Sequence, residues 1–307
     1  MSVVFWKELS DHFSSLRFLI LLVLIILPGI LAIYFAGQVI QQDVEQNPTE
    51  FVFLRLLTSE ASFLSLATFL GYFGPLVGIM LGFDSMSGEY ARGTLSRVLS
   101  QPIYRDSLIN GKFLAGLTTV AILWASILLV VIGLGIMMLG FPPDAEELWR
   151  MLFFTVVGVL YVGFWLALAM LLSLLLRRTV TAALASVATW LFLGLFLGVL
   201  AWGTATLMVP APDTAEEAAK RATIEAVMGN MSPSVLYSEA VRLLLNPVER
   251  SLVPFTSEQQ LDGLLATPLG LKQSLLFAWP LISTLLALVA ICFAIAYIKF
   301  MRTEIRA

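Results

Sequence analysis

Few side chains in this sequence have the types and spacing that catalysis or metal binding requires. Gly111 and Lys112 form a glycine–lysine pair, but the upstream glycine of a phosphate-binding loop is missing, and Phe113 follows where that loop needs serine or threonine. His12 is the single histidine and Cys292 the single cysteine, so the chain offers neither an H-E-x-x-H zinc motif nor a paired-cysteine site. We therefore predict no catalytic, cofactor-binding or metal site on this chain.

Charged residues concentrate instead in one short stretch, residues 84–112, which lies between two long apolar runs. Ser87 can cap an amphipathic helix that Pro102 ends, and a second short helix through Arg105 leads on to the next apolar run. The pattern predicts a helical elbow at a membrane surface, where another protein could push, with Lys112 reaching towards the lipid headgroups. The charged residues of this stretch are Asp84, Glu89, Arg92, Arg97, Arg105, Asp106 and Lys112.

The elements that hold this elbow must cross a membrane. Hydrophobic residues make up 59% of the chain and charged residues 13%, and the mean hydropathy of +0.92 excludes a soluble domain of this size. A hydrocarbon core about 30 Å thick requires roughly 20 apolar residues in a helix, and lipid leaves an open chain no alternative to helix. We predict an all-α polytopic membrane protein that forms one transmembrane domain. Its six spans are residues 18–37, 63–83, 113–139, 151–176, 180–208 and 275–298.

Basic residues in the short connections predict the orientation of these spans. With the N terminus inside, the outer short loops hold only Arg55 and Arg150, and both termini are cytoplasmic. Trp149, Trp202 and Trp279 then fall near the outer ends of spans, as membrane anchors do. The cytoplasmic side receives Lys7, Arg17, Arg92, Arg97, Arg105, Lys112, Arg177, Arg178, Lys299, Arg302 and Arg306.

Two further segments flank the spans. Residues 1–17 place apolar and polar side chains on opposite sides, with Glu8 on the polar side, and predict a helix lying flat on the inner membrane surface. Residues 209–274 form the one sizeable outer segment. Its signals predict three helices that cover the outer mouth as a helical hairpin, or that act as a gate or docking cap. Their boundaries are Thr214 to Gly229, Ser232 and Pro233 to Asn246, and a third helix capped by Thr256 with Gln259.

The amino-acid sequence of the elbow closely resembles that of the cytoplasmic loop of ABC-2 type permeases. That loop carries an acidic residue, then G-T-L, L-S-x-P, a basic residue and G-K before the third span, and the layout of the whole chain is similar. The chain looks most like the subgroup with an enlarged outer loop between spans five and six. The matching residues are Glu89, Gly93, Thr94, Leu95, Leu99, Ser100, Pro102, Arg105, Gly111 and Lys112.

The resemblance implies that ATP hydrolysis and transport are carried out by separate chains. A separate nucleotide-binding subunit would hydrolyse ATP with Mg²⁺, the elbow would be its coupling helix, and two permease chains, identical or similar, would form the pathway in a prokaryotic plasma membrane. Each charged residue of the elbow could equally be a solvated surface charge. The implied contact residues are Glu89, Tyr90, Arg92, Gly93, Thr94, Leu95, Arg97 and Arg105.

Small residues predict where helices approach closely, either within one chain or, for span five, at a dimer interface. The glycines are Gly74, Gly78 and Gly82 in span two and Gly194 and Gly198 in span five.

The function expected from these patterns is that of a non-catalytic permease subunit that exports or moves a substrate by ATP hydrolysis on a partner. One alternative is a subunit that transmits ATP-driven motion to an extracytoplasmic assembly or maturation system. Another is an ATP-independent scaffold or channel. A net charge of −3 without a basic tract gives no reason to expect nucleic acid.

Overall fold

A computed structural model of the chain describes residues 2–46, 51–59, 65–93, 104–210, 214–247 and 269–303. Every regular element within these ranges is helical. The helices are α1 (Ser2–Ser14), α2 (Leu16–Gln46), α3 (Val52–Thr58), α4 (Leu66–Gly82), α5 (Ser87–Arg92), α6 (Arg105–Leu139), α7 (Ala145–Leu175), α8 (Thr179–Leu191), a π-helical turn (Phe192–Phe196), α9 (Leu197–Met208), α10 (Ala215–Gly229), α11 (Pro233–Leu245) and α12 (Leu271–Arg302).

Six helical segments of the described chain are long and apolar enough to cross a membrane, as the hydropathy of the sequence predicts. Several extend beyond the predicted spans because their polar ends continue the same helix. Span four, for example, begins at Ala145, where Asp144 and Glu147 form a reciprocal capping box. The segments are Phe18–Gln42, Leu66–Arg92, Arg105–Leu139, Ala145–Leu175, Thr179–Met208 and Leu271–Arg302.

The elbow differs from its prediction in three details. Its helix α5 ends at Gly93, whose left-handed backbone (φ 63°) stops the helix well before Pro102. Ser87 is the first residue of α5 and not its cap. The predicted short helix through Arg105 is the first turn of α6, because the chain has no break between that residue and the third span.

The spans alternate in direction, so the bundle has two distinct ends. The elbow end holds α1, α5 and the start of α6. The loop end holds α3 and the starts of α7 and α12, where Glu147 of α7 accepts a hydrogen bond from the backbone N–H of Phe53 at 2.8 Å. The described basic residues that were predicted to be cytoplasmic lie in elements at the elbow end.

Span two (α4) and span four (α7) come into direct backbone contact. A methyl group added at Gly78 would lie 2.5 Å from the carbonyl oxygen of Val162, and one at Gly82 would lie 2.7 Å from that of Leu166. A methyl group at Gly74 would instead meet the side chains of Trp124 and Val162, each at 3.1 Å. The glycine stripe of span two thus serves packing within one chain, since only glycine lets the two backbones come this close.

Span five is packed very differently. Only 6% of its most apolar window is buried in the chain, and Phe192, Phe196 and Val199 are all more than half exposed. Gly194 lies near the hydroxyl of Ser234, whereas a methyl group at Gly198 would meet no atom within 4 Å. One face of this span is therefore left for lipid or another protein.

The segment after span five forms a return hairpin, which we define as α10, its turn and α11. Its helix bounds agree with the predicted Thr214 cap and Pro233 start, and Thr214 Oγ1 accepts from the backbone N–H of Glu217. The predicted third helix at Thr256 lies outside the described residues.

The placement of the return hairpin corrects the prediction that it covers the outer mouth. Its tip lies beside the middle of span five, where the hydroxyl of Ser232 donates to the carbonyl oxygen of Leu193 at 2.6 Å in the π-helical turn. From there α11 packs between α4, α7 and α12. In this placement the apolar face of α11 is buried against the spans. Its buried members are Leu236, Tyr237, Ala240, Val241, Leu244 and Leu245.

Candidate functional site

The elbow is attached to span four through a single hydroxyl. Ser173, near the end of α7, accepts hydrogen bonds from the backbone N–H groups of Met86 (3.2 Å) and Ser87 (2.9 Å). Its own hydroxyl donates to Ser87 Oγ at 3.1 Å, and Ser87 Oγ donates to the Phe83 carbonyl. Since Ser173 and Ser87 are fully buried, the two unpaired amides at the start of α5 are satisfied inside the protein.

A second attachment is ionic. Lys112 Nζ lies 2.8 Å from Glu89 Oε1 on α5 and 2.9 Å from Glu8 Oε1 on α1, and Lys7 contacts Glu8 (3.3 Å) and Asp11 (3.2 Å). We call Lys7, Glu8, Glu89 and Lys112 the elbow cluster. The Lys112 side chain is 6% exposed, so removing Glu8 or Glu89 would leave its buried charge with only one of its two carboxylates. The cluster joins α1, α5 and span three, and the ammonium is buried instead of reaching towards headgroups as predicted.

The pKa values of α1 follow from this cluster. Burial alone would raise the pKa of the Glu8 carboxyl, but the ammonium groups of Lys112 and Lys7 outweigh burial and hold it below its ordinary value. Burial would lower the pKa of Lys7, and the charges of Glu8 and Asp11 raise it instead. Burial lowers the pKa of His12, despite the nearby carboxylates. Near neutral pH, α1 therefore docks with the Glu8 carboxylate charged and the His12 imidazole neutral.

The predicted contact residues do not share one surface. Glu89 points inward to Lys112 and is only 8% exposed, which corrects its predicted place on a partner-facing surface. Arg92 and Gly93 are exposed, and Tyr90 is half-buried. Arg105 is half-buried and donates to the carbonyl oxygen of Thr303 at 3.1 Å, after the last span. The remaining three, Thr94, Leu95 and Arg97, lie outside the described residues.

Arg150 is a central residue that the sequence analysis missed. It was assigned to an outer loop, yet it lies within α7 at the loop end and is completely buried. Its guanidinium pairs with Glu146 at 2.8 Å, donates to the carbonyl oxygens of Leu244 and Leu269, and donates to Ser274 Oγ at 3.1 Å. The signal that could have revealed it was the i,i+4 spacing of Glu146 and Arg150 next to an apolar run.

The described residues contain no group of three histidine, cysteine or acidic side chains that could hold a metal ion. The contacts of α5 could pass a displacement on to the spans. A displacement of α5 reaches span two through the chain, span four through Ser173, and span three and α1 through Lys112.

Comparison with known proteins identifies the family of the chain. The model of the ABC-2 family transporter protein matches residues 2–305. A stretch of 54 residues is 46% identical to the probable ABC transporter permease protein NosY of Pseudomonas aeruginosa. That stretch covers 18% of this chain and 18% of the relative. Because the family match extends over nearly the whole sequence, the chain belongs to the ABC-2 family of transporter proteins.

Proposed function

We propose that this chain couples ATP hydrolysis by a separate nucleotide-binding subunit to export or movement of a substrate across a prokaryotic plasma membrane. The elbow receives the motion at the cytoplasmic surface. The observation that supports this most directly is the double attachment of α5, through Ser173 to span four and through Lys112 to span three.

The partner would contact the outward side of the elbow. Arg92 and Gly93 are exposed there and Tyr90 is half-buried, so these residues remain candidates, together with Thr94, Leu95, Arg97 and Arg105. Glu89 takes a different role, because it carries the displacement from α5 to Lys112 inside the protein.

Close packing beneath the elbow would limit loss of motion. Gly82 lies where α4 and α7 are in direct backbone contact, two residues before the elbow begins. Because packed helices have low compressibility, a push on α5 would tilt spans two and four together and would not be absorbed between them.

We further propose that two such chains pair through span five. Its exposed apolar face and its position next to the return hairpin support this, since a second chain would bury the face that this chain leaves open. The substrate would then pass along or between these paired spans.

A pull-down in detergent tests the proposed ATPase contact. The tagged chain should co-purify its ATPase, and Arg92→Glu should reduce recovery at least about tenfold, since an interfacial charge reversal costs more than 1.4 kcal/mol. Lys220→Glu is the matched control, because Lys220 is an exposed cation on α10 in the return hairpin, remote from the elbow.

A second variant separates binding from transmission. Glu89→Gln should leave ATPase recovery close to that of the parent chain, because Glu89 is not on the surface, but it should weaken stimulation of ATP hydrolysis by the membrane subunit. Equal recovery with Arg92→Glu and the parent chain would contradict the contact assignment. Full coupling with Glu89→Gln would contradict the transmission route.

A further inference from the structure

A proline inside span two leaves one backbone carbonyl without its helical donor. Pro75 lies within α4 and has no N–H, so the carbonyl oxygen of Gly71, four residues earlier, cannot form the usual helical hydrogen bond. In a membrane-spanning helix such a carbonyl needs a donor from a neighbouring element. The phenol of Tyr161 on α7 is that donor, and its oxygen lies 2.9 Å from the oxygen of Gly71.

The hydroxyl of Tyr161 has a second partner on the return hairpin. Its oxygen lies 2.9 Å from Ser234 Oγ, in the first turn of α11. Because the phenol has a single proton and donates it to Gly71, its oxygen accepts here and Ser234 donates. Tyr161 is completely buried. Two consecutive hydrogen bonds therefore join α11, span four and span two inside the bundle.

The return hairpin is attached to span four at two places. At the loop end, Arg150 donates to the carbonyl oxygen of Leu244, and near the hairpin tip Tyr161 accepts from Ser234. At 1.5 Å per residue, the two α7 residues are about 16 Å apart along their helix and the two α11 residues about 15 Å apart. Because these spacings match, α11 runs antiparallel to α7 and is fixed near both of its ends. It should therefore move with span four as one body.

The hairpin tip is attached in turn to span five. Ser232, which immediately precedes α11, donates to the carbonyl oxygen of Leu193 at 2.6 Å in the π-helical turn. The first turn of α11 also lies close to the next residue of span five, since a methyl group added at Gly194 would be 3.2 Å from Ser234 Oγ. Only 6% of the most apolar window of span five is buried in the chain. A displacement of the tip would therefore meet little resistance from other packing of this span.

We infer that Tyr161 is a positioning residue, whose hydroxyl fixes the return hairpin to spans two and four so that their displacement reaches span five. The inference rests on the coupling proposed above, because the elbow supplies the displacement. The route runs along α7 from Ser173, which holds the elbow, to Tyr161. It continues through Ser234 and the hairpin tip to Leu193.

Tyr237 provides a matched control for Tyr161. The two rings stack with their centroids 4.5 Å apart, and the Tyr237 hydroxyl also donates to span two, at 3.3 Å from the carbonyl oxygen of Ala67. That carbonyl has a helical donor, the N–H of Gly71, because no proline interrupts α4 at this point. Tyr237→Phe should therefore leave no carbonyl of span two unsatisfied, whereas Tyr161→Phe removes the donor of Gly71 and the acceptor of Ser234.

Hydrogen exchange of the purified full-length chain in detergent, followed by mass spectrometry, measures the attachment. Tyr161→Phe should accelerate amide exchange in α11 by about tenfold, which corresponds to about 1.4 kcal/mol, and should also accelerate it in the first half of α4. Tyr237→Phe should change both by less than about threefold. Equal exchange in the two phenylalanine variants would overturn the inference, as would an unchanged α11 in Tyr161→Phe.

Two further variants separate the two hydrogen bonds of Tyr161. Ser234→Ala should accelerate exchange in α11 and leave α4 unchanged, because Tyr161 still donates to Gly71. Pro75→Ala restores a helical N–H for Gly71, so adding it to Tyr161→Phe should return α4 to slow exchange and leave α11 fast. Unchanged α11 exchange in Ser234→Ala would overturn the inference even if Tyr161→Phe did not fold.

The same measurement on the complex with its ATPase, without nucleotide and with ATP and Mg²⁺, tests the transmission. In the parent chain, nucleotide should change exchange in residues 84–93 of the elbow and in the π-helical turn. With Tyr161→Phe the elbow should still respond and the π-helical turn should not, whereas Tyr237→Phe should keep both responses. An equal response of the π-helical turn in both variants would overturn the inference. An unresponsive elbow in the parent chain would instead contradict the proposed coupling, and exchange in the chain alone would still decide whether Tyr161 holds the hairpin.

Discussion

Two buried cations stabilise the two ends of this bundle in different ways. At the elbow end, Lys112 shares one ammonium between Glu8 on α1 and Glu89 on α5. At the loop end, the Arg150 guanidinium pairs with Glu146 of its own helix and binds backbone carbonyls near the return hairpin and the start of the last span. The first contact joins side chains, whereas the second holds the backbone.

The difference concerns what each end can do. An ammonium is a compact charge on a flexible stem, so Lys112 can keep one carboxylate while the other moves. A guanidinium is a rigid planar fork, so Arg150 keeps its partners only in one geometry. The elbow end is thus suited to displacement, and the loop end provides the fixed point against which that displacement acts.

The largest expected effect is the loss of the fixed point. Arg150→Met would leave the Leu244 and Leu269 carbonyls and Glu146 without their donor, and it should lower the free energy of unfolding by about 3–5 kcal/mol. Thermal unfolding of the purified chain in detergent measures this. Arg150→Lys keeps the charge without the fork and should recover less than half of the loss, and full recovery would show that geometry does not matter.

Removing the elbow cation should cost somewhat less. Lys112→Met leaves two carboxylates with reduced compensation, and we expect a loss of about 3 kcal/mol together with loss of coupled transport. A double-mutant cycle with Glu8→Gln and Glu89→Gln measures the two pairings separately. If either pairing contributed nothing, the ammonium would not be shared and the comparison would fail.

The packing beneath the elbow provides a third test. Gly82→Ala would place a methyl group 2.7 Å from the Leu166 carbonyl oxygen, and separating α4 from α7 should cost about 1–3 kcal/mol. Gly198→Ala is the matched control, since a methyl group there meets no atom within 4 Å and should change the monomer by less than about 0.5 kcal/mol. Equal stability of both variants would contradict the direct backbone contact.

The smallest expected effect concerns pH. As the pH falls through 6.5, an exposed imidazole takes up a proton, whereas burial lowers the pKa of His12, so the folded state takes up that proton only at lower pH. The unfolded state is therefore favoured by acid in this window. Thermal unfolding between about pH 7.5 and pH 5.5 should show a modest decrease that His12→Gln reduces. The pKa of Glu8 is lowered, so the stability that its carboxylate contributes is lost only as the pH falls below its ordinary value of 4.5. Glu8→Gln should therefore not flatten the decrease between about pH 7.5 and pH 5.5.

Much of the fold could be predicted from the sequence because lipid restricts the choices. Six apolar runs of sufficient length predict six helices, and local signals such as Thr214 and Pro233 predict where the hairpin helices start. The position of α11 within the bundle could not be predicted. An amphipathic helix of 13 residues has the same pattern whether its apolar face lies on the bundle or inside it.

The candidate site was predictable in place but not in detail. The elbow follows from the charge pattern of residues 84–112. The pairing of Glu89 with Lys112 could not be predicted, because the two residues lie on different helices whose relative position a charge pattern does not give. Ser173 could not have been identified, since one hydroxyl in an apolar run usually bonds to its own helix.

The hydrogen bond from Ser232 to Leu193 has a consequence for biogenesis. Thr179 to Leu193 spans roughly 21 Å of helix at 1.5 Å per residue, so this bond lies well inside a hydrocarbon layer about 30 Å thick. Inserting the Ser232 hydroxyl or the Leu193 carbonyl at that depth without its hydrogen-bond partner would cost free energy. Span five and the return hairpin should therefore leave the ribosome-bound insertion machinery as one unit, and a chain truncated between residues 210 and 230 should be recognised and degraded as incomplete.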